Sequence, residues 1–319
     1  MLVSRSTALG LLGGAASTVA LPHIARAQAI PIRVAGVYSD LFAEPFYAKE
    51  AGAFAKAGFD LNSMVLVNAG AVAAALGSSL DMGTGDLVSG VNAILAGVPI
   101  VLIAGSGLYI ESSDASAAVL GVAPDSPIRT PKDVIGKAVG VPTLVGMTTA
   151  CVKSWWASHG VDNSTVRFVE IPPPIAVGAL QRGAVDVALV GEPFVTAQKG
   201  QYRAIGSPYD VAADRAPNKT FCVSVWYAAK SWVNEDPARA RRAVQAIYDT
   251  ARWANTHRDQ TFAILVQDGK LDPNAARGML RTTYATSLTP DLVQPILDIA
   301  LQNKIFPHPV DAASIIAKI

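Results

Sequence analysis

The 319-residue chain is short of the side chains that most site chemistry needs. It holds two cysteines and four histidines. Cys151 and Cys222 are too far apart in sequence to be paired by inspection, and they read as two buried free thiols. His23 falls in the first 29 residues, His308 stands between prolines in the tail, and His159 and His257 sit at predicted helix C-termini, where a cation suits the dipole. No metal-ligand spacing appears. Neither a nucleophile elbow nor a phosphate-cradling glycine loop appears in a strand–helix context. Charge of one sign is also missing. The 26 basic residues face 25 acidic ones; residues 1–29 carry two arginines and no acid, leaving 24 against 25. That balance gives no electrostatic footprint for nucleic acid or an anionic membrane. Long hydrophobic runs are confined to residues 8–21, interrupted by Gly13-Gly14 and ended by Pro22. About 14 apolar residues fall short of the roughly 20 that span a bilayer. With Arg5 before the run and Ala27-Gln28-Ala29 after it, residues 1–29 read as a secretory signal peptide cleaved near Ala29. The mature chain then starts near Ile30, with Sec and Tat export both open.

What the chain does have is an internal repeat. Residues 32–86 and 137–192 each run strand, helix, strand, helix, strand. Both copies carry an Ala-x-x-Gly-apolar-Asp turn, at residues 55–60 and 157–162. Both place an Asp before the last strand, Asp81 and Asp186, and an acid just after it, Asp86 and Glu192. Each copy predicts a small parallel sheet covered by helices. Ligands of such sheets bind beyond the carboxyl ends of the strands, so two copies facing each other make a cleft with matching loops on both walls.

Further strands are predicted at 100–104, 117–123, 202–205 and 221–229. The last of these is expected to return to the first sheet. From about Asp236 the pattern is helical, with an amphipathic helix over 238–256 and shorter ones near 259–268, 273–283, 290–303 and 310–318. These have no strands of their own and are expected to pack on the first lobe. The expected division is lobe one from residues 30–108 plus 217–319 and lobe two from 109–216. Two crossings near 106–112 and 210–220 form a hinge, with Gly105-Ser106-Gly107 as its flexible point.

Several short motifs carry a family resemblance: Ala48-Lys49-Glu50-Ala51-Gly52, Gly83-Thr84-Gly85-Asp86, Asp125-Ser126-Pro127-Ile128, Asp133 to Lys137, Ala179 to Asp186, Glu192-Pro193-Phe194 and Asn234-Glu235-Asp236-Pro237. Over residues 30 to about 260 the chain resembles the periplasmic substrate-binding proteins of ABC importers, in the branch that binds nitrate, sulfonates, taurine and thiamine precursors. The resemblance implies an α/β, two-lobed periplasmic-binding-protein fold of type II, each lobe a mostly parallel sheet flanked by helices. It implies an extracytoplasmic, non-catalytic receptor that captures a small organic molecule or anion and delivers it to an ABC permease in the inner membrane. The implied partners are that ligand and permease, with no nucleic acid, no cofactor and a monomeric state. Two alternatives stand beside it: a ligand-sensing partner of a membrane regulator, and a pyrimidine-synthase-like enzyme on the same fold.

The candidate ligand-binding residues sit at equivalent strand ends. In lobe one these are Ser39, Asp40 and Leu41 after the first strand, and Thr84, Gly85 and Asp86 at the third. In lobe two they are Thr143, Gly146, Met147 and Thr148 after the first strand, and Glu192 after the third. The helix start near Gly146 offers free N–H groups to an anion. Asp86 and Glu192 are also suited to cap the helices that follow them. The family usually has an aromatic residue before the second acid; here Gly191 stands there. Pro172 to Pro174 stiffen the cleft wall, and Trp155, Trp156 and Trp226 read as core. Asp40, Asp86 and Glu192 together predict an acidic cleft.

Overall fold

The computed structural model describes residues 28–319 except Tyr38, 67–68, 113–115 and 269–270. The signal peptide expected at the N-terminus therefore lies, up to residue 27, outside the described residues. Among the described residues, thirteen strands occur in chain order: β1 Ile30–Gly36, β2 Phe59–Val65, β3 Met82–Asp86, β4 Ile100–Gly105, β5 Gly107–Ile110, β6 Ala118–Val122, β7 Ala138–Val141, β8 Arg167–Glu170, β9 Val187–Gly191, β10 Arg203–Gly206, β11 Thr220–Cys222, β12 Ser224–Ala229 and β13 Thr283–Tyr284. They form two five-stranded sheets, ordered β2-β1-β3-β12-β4 and β10-β6-β9-β7-β8, and a three-stranded ribbon β11-β5-β13. The protein is a two-lobed α/β fold with one parallel-rich sheet per lobe.

The repeat sets this architecture. β1 pairs in parallel with β2 and β3, and β7 pairs in parallel with β8 and β9. The two acids before the third strands do the same work. The Asp81 carboxylate accepts from the backbone N–H of Arg33 at 2.8 Å, and that of Asp186 from the N–H of Ala138 at 2.8 Å. Each pair also closes a backbone bond in the other direction, Asp81 N–H to Arg33 O and Asp186 N–H to Ala138 O, both at 2.9 Å. In each lobe the amide just before the first strand begins to pair with the third is thus satisfied by a carboxylate. The two Ala-x-x-Gly turns end their helices the same way, with Gly58 and Gly160 at φ of 84° and 76°, the left-handed region where a Cβ is penalised.

The strand predicted to return is β12. It lies antiparallel between β3 and β4, and its Trp226 and Tyr227 are fully buried. Helix Pro237–Thr256, capped by Asp236 accepting from the Arg239 N–H at 2.9 Å, buries Ala243, Ala246 and Ile247 against the same lobe. The crossings at β5 and β11 pair with each other.

Four expectations change. The helix expected over 273–283 is only Pro273–Ala276; Gly278 then turns at φ 79° and the chain extends into β13, so the C-terminal region does contribute a strand. Helix Gln294–Gln302 does not stay on lobe one. Asn303, which follows it, donates to Ser154 Oγ at 2.8 Å and Ala150 O at 3.3 Å on the lobe-two helix Met147–Ser158. Gly105 and Gly107 are not loose: a Cβ at Gly105 would lie 2.8 Å from Ser287 O, and one at Gly107 2.5 Å from Leu41 Cδ1. These glycines allow close packing. Ser106 between them is fully buried and donates to Glu44 Oε2 at 2.8 Å.

Candidate functional site

A cavity of about 580 Å³ opens between the lobes. Lobe one supplies the turn Ser39-Asp40-Leu41, Leu108, Leu265, Leu271 and the segment Met279 to Thr283, and the crossing adds Tyr109 and Ile110. Lobe two supplies Ala118, Pro142, Pro173, Leu189, Gly191 to Phe194 and Tyr209. Both sheets present strand ends to it, as doubly wound sheets do.

The turn after β1 is held by a dense polar network. Asp40 Oδ2 accepts from Arg281 Nε at 3.0 Å and the Thr282 N–H at 2.6 Å, and Oδ1 from Arg281 Nη2 at 2.8 Å and the Tyr47 hydroxyl at 3.1 Å. Arg281 also donates Nη1 to Arg258 O at 3.2 Å and Nη2 to Thr261 Oγ1 at 3.1 Å. The pair is largely buried, at 13% and 11% side-chain exposure, so its charges compensate each other within the wall. Burial, and then the Asp40 carboxylate beside it, push the Tyr47 phenol well up.

On the other wall, Glu192 Oε1 accepts from Thr196 Oγ1 at 2.7 Å, and Oε2 from the Thr196 N–H at 3.1 Å. Glu192 Oε1 also accepts from the Leu280 N–H of lobe one at 2.9 Å. That bond bridges the rim, where helix Pro273–Ala276 meets helix Phe194–Ala197. At the back, the Tyr109 hydroxyl donates to Asp210 Oδ1 at 2.6 Å and shares a 2.9 Å bond with Ser207 Oγ. Tyr109 packs edge-on to Tyr209 at 5.4 Å and against Phe221 at 5.4 Å. Burial, then its bond to Asp210, raises the Tyr109 phenol to about 12.

Of the candidates read from sequence, Ser39, Asp40, Leu41 and Glu192 line this cavity. Thr84, Gly85, Asp86, Thr143, Gly146, Met147 and Thr148 do not. The physical reason in lobe one is a roof. The loop after β1 lies across the ends of β3 and β12, held by Thr84 Oγ1 donating to Phe42 O at 2.9 Å and Ser224 Oγ donating to Leu41 O at 2.9 Å. Asp86 turns back to cap helix Leu87–Leu95, accepting from the Ser89 N–H at 2.9 Å. In lobe two, Thr148 Oγ1 shares a 3.0 Å bond with the Tyr209 hydroxyl, whose ring is part of the cavity wall. Thr143 Oγ1 is spent on Val145 O at 3.1 Å, and Met147 is buried in the core. The expected acidic cleft is reduced to one carboxylate: Asp40 is balanced by Arg281, Asp86 is elsewhere, Glu192 alone has no cationic partner among the described lining residues, and the rest of the lining is mainly aliphatic, proline and aromatic. The residues sequence reasoning missed are Met279 to Thr283. The signal that would have exposed them is Gly278, a helix stop inside an otherwise helical pattern.

Among the described residues, no group of three or more His, Cys, Asp or Glu is placed to hold a metal ion. Cys151 and Cys222 are free and buried, and burial raises both thiols to about 12. Both histidines at helix ends bond the carbonyl four residues back, His159 to Trp155 and His257 to Trp253, each at 2.8 Å.

Two lobes, paired crossings and a cavity walled from both sides define the architecture of a two-lobed periplasmic binding protein. The chain belongs to the NMT1/THI5-like family, whose sequence pattern it matches over residues 41–261. A curated relative, the taurine-binding periplasmic protein of Escherichia coli, is 30% identical over 126 residues, which cover 37% of this chain and 37% of that protein. The crystal structure of the periplasmic aliphatic sulphonate binding protein SsuA from Escherichia coli superposes with a TM-score of 0.71 at 18% identity, over 90% of this chain and 92% of that one. The desulfurization enzyme DSZB shares the fold with a TM-score of 0.64 at 18% identity, over 90% and 96% of the two chains.

Proposed function

We propose that this protein is an extracytoplasmic solute-binding protein that captures a small molecule between its lobes and delivers it to an ABC permease. The observation that carries this reading is the cavity itself, walled by both lobes and bridged at its rim by the Glu192–Leu280 bond. A site so divided exists fully only when the lobes are together, and the paired crossings β5 and β11 are the natural hinge. The pairing of these crossings supports a division of lobes near residues 108–109 and 216–217. Family membership and the taurine-binding relative support import as the task and the periplasm as the compartment. The leader at residues 1–29 supports export.

A binding rather than catalytic role is supported by the lining. Among its described residues there is no cysteine, histidine or lysine, its tyrosines, Asp40 and Arg281 are committed to structural bonds, and Glu192 keeps a single acceptor direction. The fold neighbour DSZB is an enzyme, so this point rests on the site and not on the fold. The test is uptake. Protein purified from the periplasm should carry a solute identifiable by mass spectrometry, and adding it to spheroplasts of a strain lacking its gene should restore uptake of that solute. Uptake that is unaffected by the protein defeats the reading.

A further inference from the structure

We infer that the cavity takes a largely apolar organic molecule that carries one hydrogen-bond donor and no negative charge, and not a compact sulfonate or other strong anion. The inference rests on the solute-binding reading and names the ligand class of that same site.

Size comes first. A cavity of about 580 Å³ lies in the range that buries a drug-sized molecule. Its walls are set by Leu41, Leu108, Ile110, Leu189, Phe194 and Met279, all without a charge or a strong donor. Gly191 adds to the room. It lines the cavity, and a Cβ built there would meet only Ala117 O, at 3.9 Å.

Charge comes second. Arg281 is the single cation among the described lining residues. Its guanidinium already spends its donors on Asp40, Arg258 O, Thr261 and Tyr47, which leaves at most one of the five N–H groups. Its charge is balanced by Asp40 inside the wall. A sulfonate entering here would lose its water and find no uncompensated positive charge, which is costly. The helix start at Gly146, the other natural anion site, is not part of the cavity.

The remaining acceptor capacity comes third. Asp40 takes four hydrogen bonds, which fills a carboxylate. Glu192 takes three, from Thr196 Oγ1, the Thr196 N–H and the Leu280 N–H. One acceptor direction is left, so Glu192 recognises a ligand O–H or N–H.

Calorimetric titration of the full mature protein with three probes tests this: 1-naphthol, 1-naphthalenesulfonate and taurine. The first two share an apolar body and differ in charge; the third has the anionic head with almost no apolar body. 1-Naphthol should bind most tightly, by about tenfold or more over either sulfonate, with a negative heat-capacity change. Glu192→Gln should weaken 1-naphthol, and Gly191→Trp should abolish its binding without lowering the melting temperature. Tighter binding of taurine or of 1-naphthalenesulfonate overturns the ligand class while leaving the solute-binding reading intact. No binding of any probe also overturns the ligand class, and the solute-binding reading is then judged by the uptake experiment on its own.

Discussion

Replacing Glu44 with glutamine should flatten the pH dependence of this protein's stability. Glu44 opens helix Glu44–Ala51 and is fully buried. Its Oε2 accepts from Ser106 Oγ at 2.8 Å and Trp226 Nε1 at 2.7 Å, while its Oε1 has no partner. A carboxylate with one bare oxygen in the core is expensive. Burial therefore raises the group to about 8, against the opposing pull of the two hydrogen bonds. The folded protein holds this proton where the unfolded chain, titrating near the ordinary value of 4.5, has released it. The stabilisation is complete below about 4.5 and is lost as pH rises towards about 8. One proton corresponds to about 1.4 kcal/mol per pH unit. Between pH 5 and 7.5 the difference between Glu44→Gln and wild type should shift by at most about 3 kcal/mol in the variant's favour. The amide keeps an oxygen for Ser106 and Trp226 and carries no titrating proton. Urea unfolding followed by tryptophan fluorescence at several pH values measures both proteins. Parallel pH profiles would refute the reasoning, because they would mean that Glu44 is ionised in the fold or titrates alike in both states.

Three further outcomes are expected. Asp40→Ala strands Arg281 in a mostly buried wall, and should cost about 3–5 kcal/mol in chemical denaturation; a loss below about 1 kcal/mol would show the pair to be solvated. Asp81→Ala and Asp186→Ala each remove the carboxylate acceptor of one strand amide, that of Arg33 and that of Ala138, and should cost about 1–3 kcal/mol each. The two losses should agree to within about 1 kcal/mol, since the extra Arg33 pair of Asp81 is half exposed and worth little. Cys151 and Cys222, with thiols raised to about 12, should resist a thiol reagent at pH 8 in the native protein and react once it is unfolded.

The repeat was legible because it is local. Each copy writes its turn, its pre-strand acid and its strand within about 55 residues, and Asp81 and Asp186 each sit 48 positions after the amide they satisfy. Periodicity also placed β12 and helix Pro237–Thr256. The cavity's chemistry was not legible, because its decisive pair joins residues 241 apart. No local pattern tells Asp40 that Arg281 will neutralise it. Asp86 and Glu192 are equivalent in sequence, and each accepts from a backbone N–H in the first turn of the helix that follows, Asp86 from Ser89 and Glu192 from Thr196. Only Glu192 reaches the cavity, because the loop after β1 roofs the end of β3. The helical pattern of 273–283 hid the segment Met279 to Thr283, where tertiary pairing with β5 overrides propensity beyond Gly278.

Native mass spectrometry of wild type and Gly191→Trp, each freshly purified without denaturation, tests the central claim that the space between the lobes is the solute site. The tryptophan enters open space at a position without left-handed backbone, so the fold should survive while the cavity fills. The wild type should carry a small molecule that leaves on unfolding, and the variant should be empty with an unchanged melting temperature. Identical spectra for the two proteins would contradict the account.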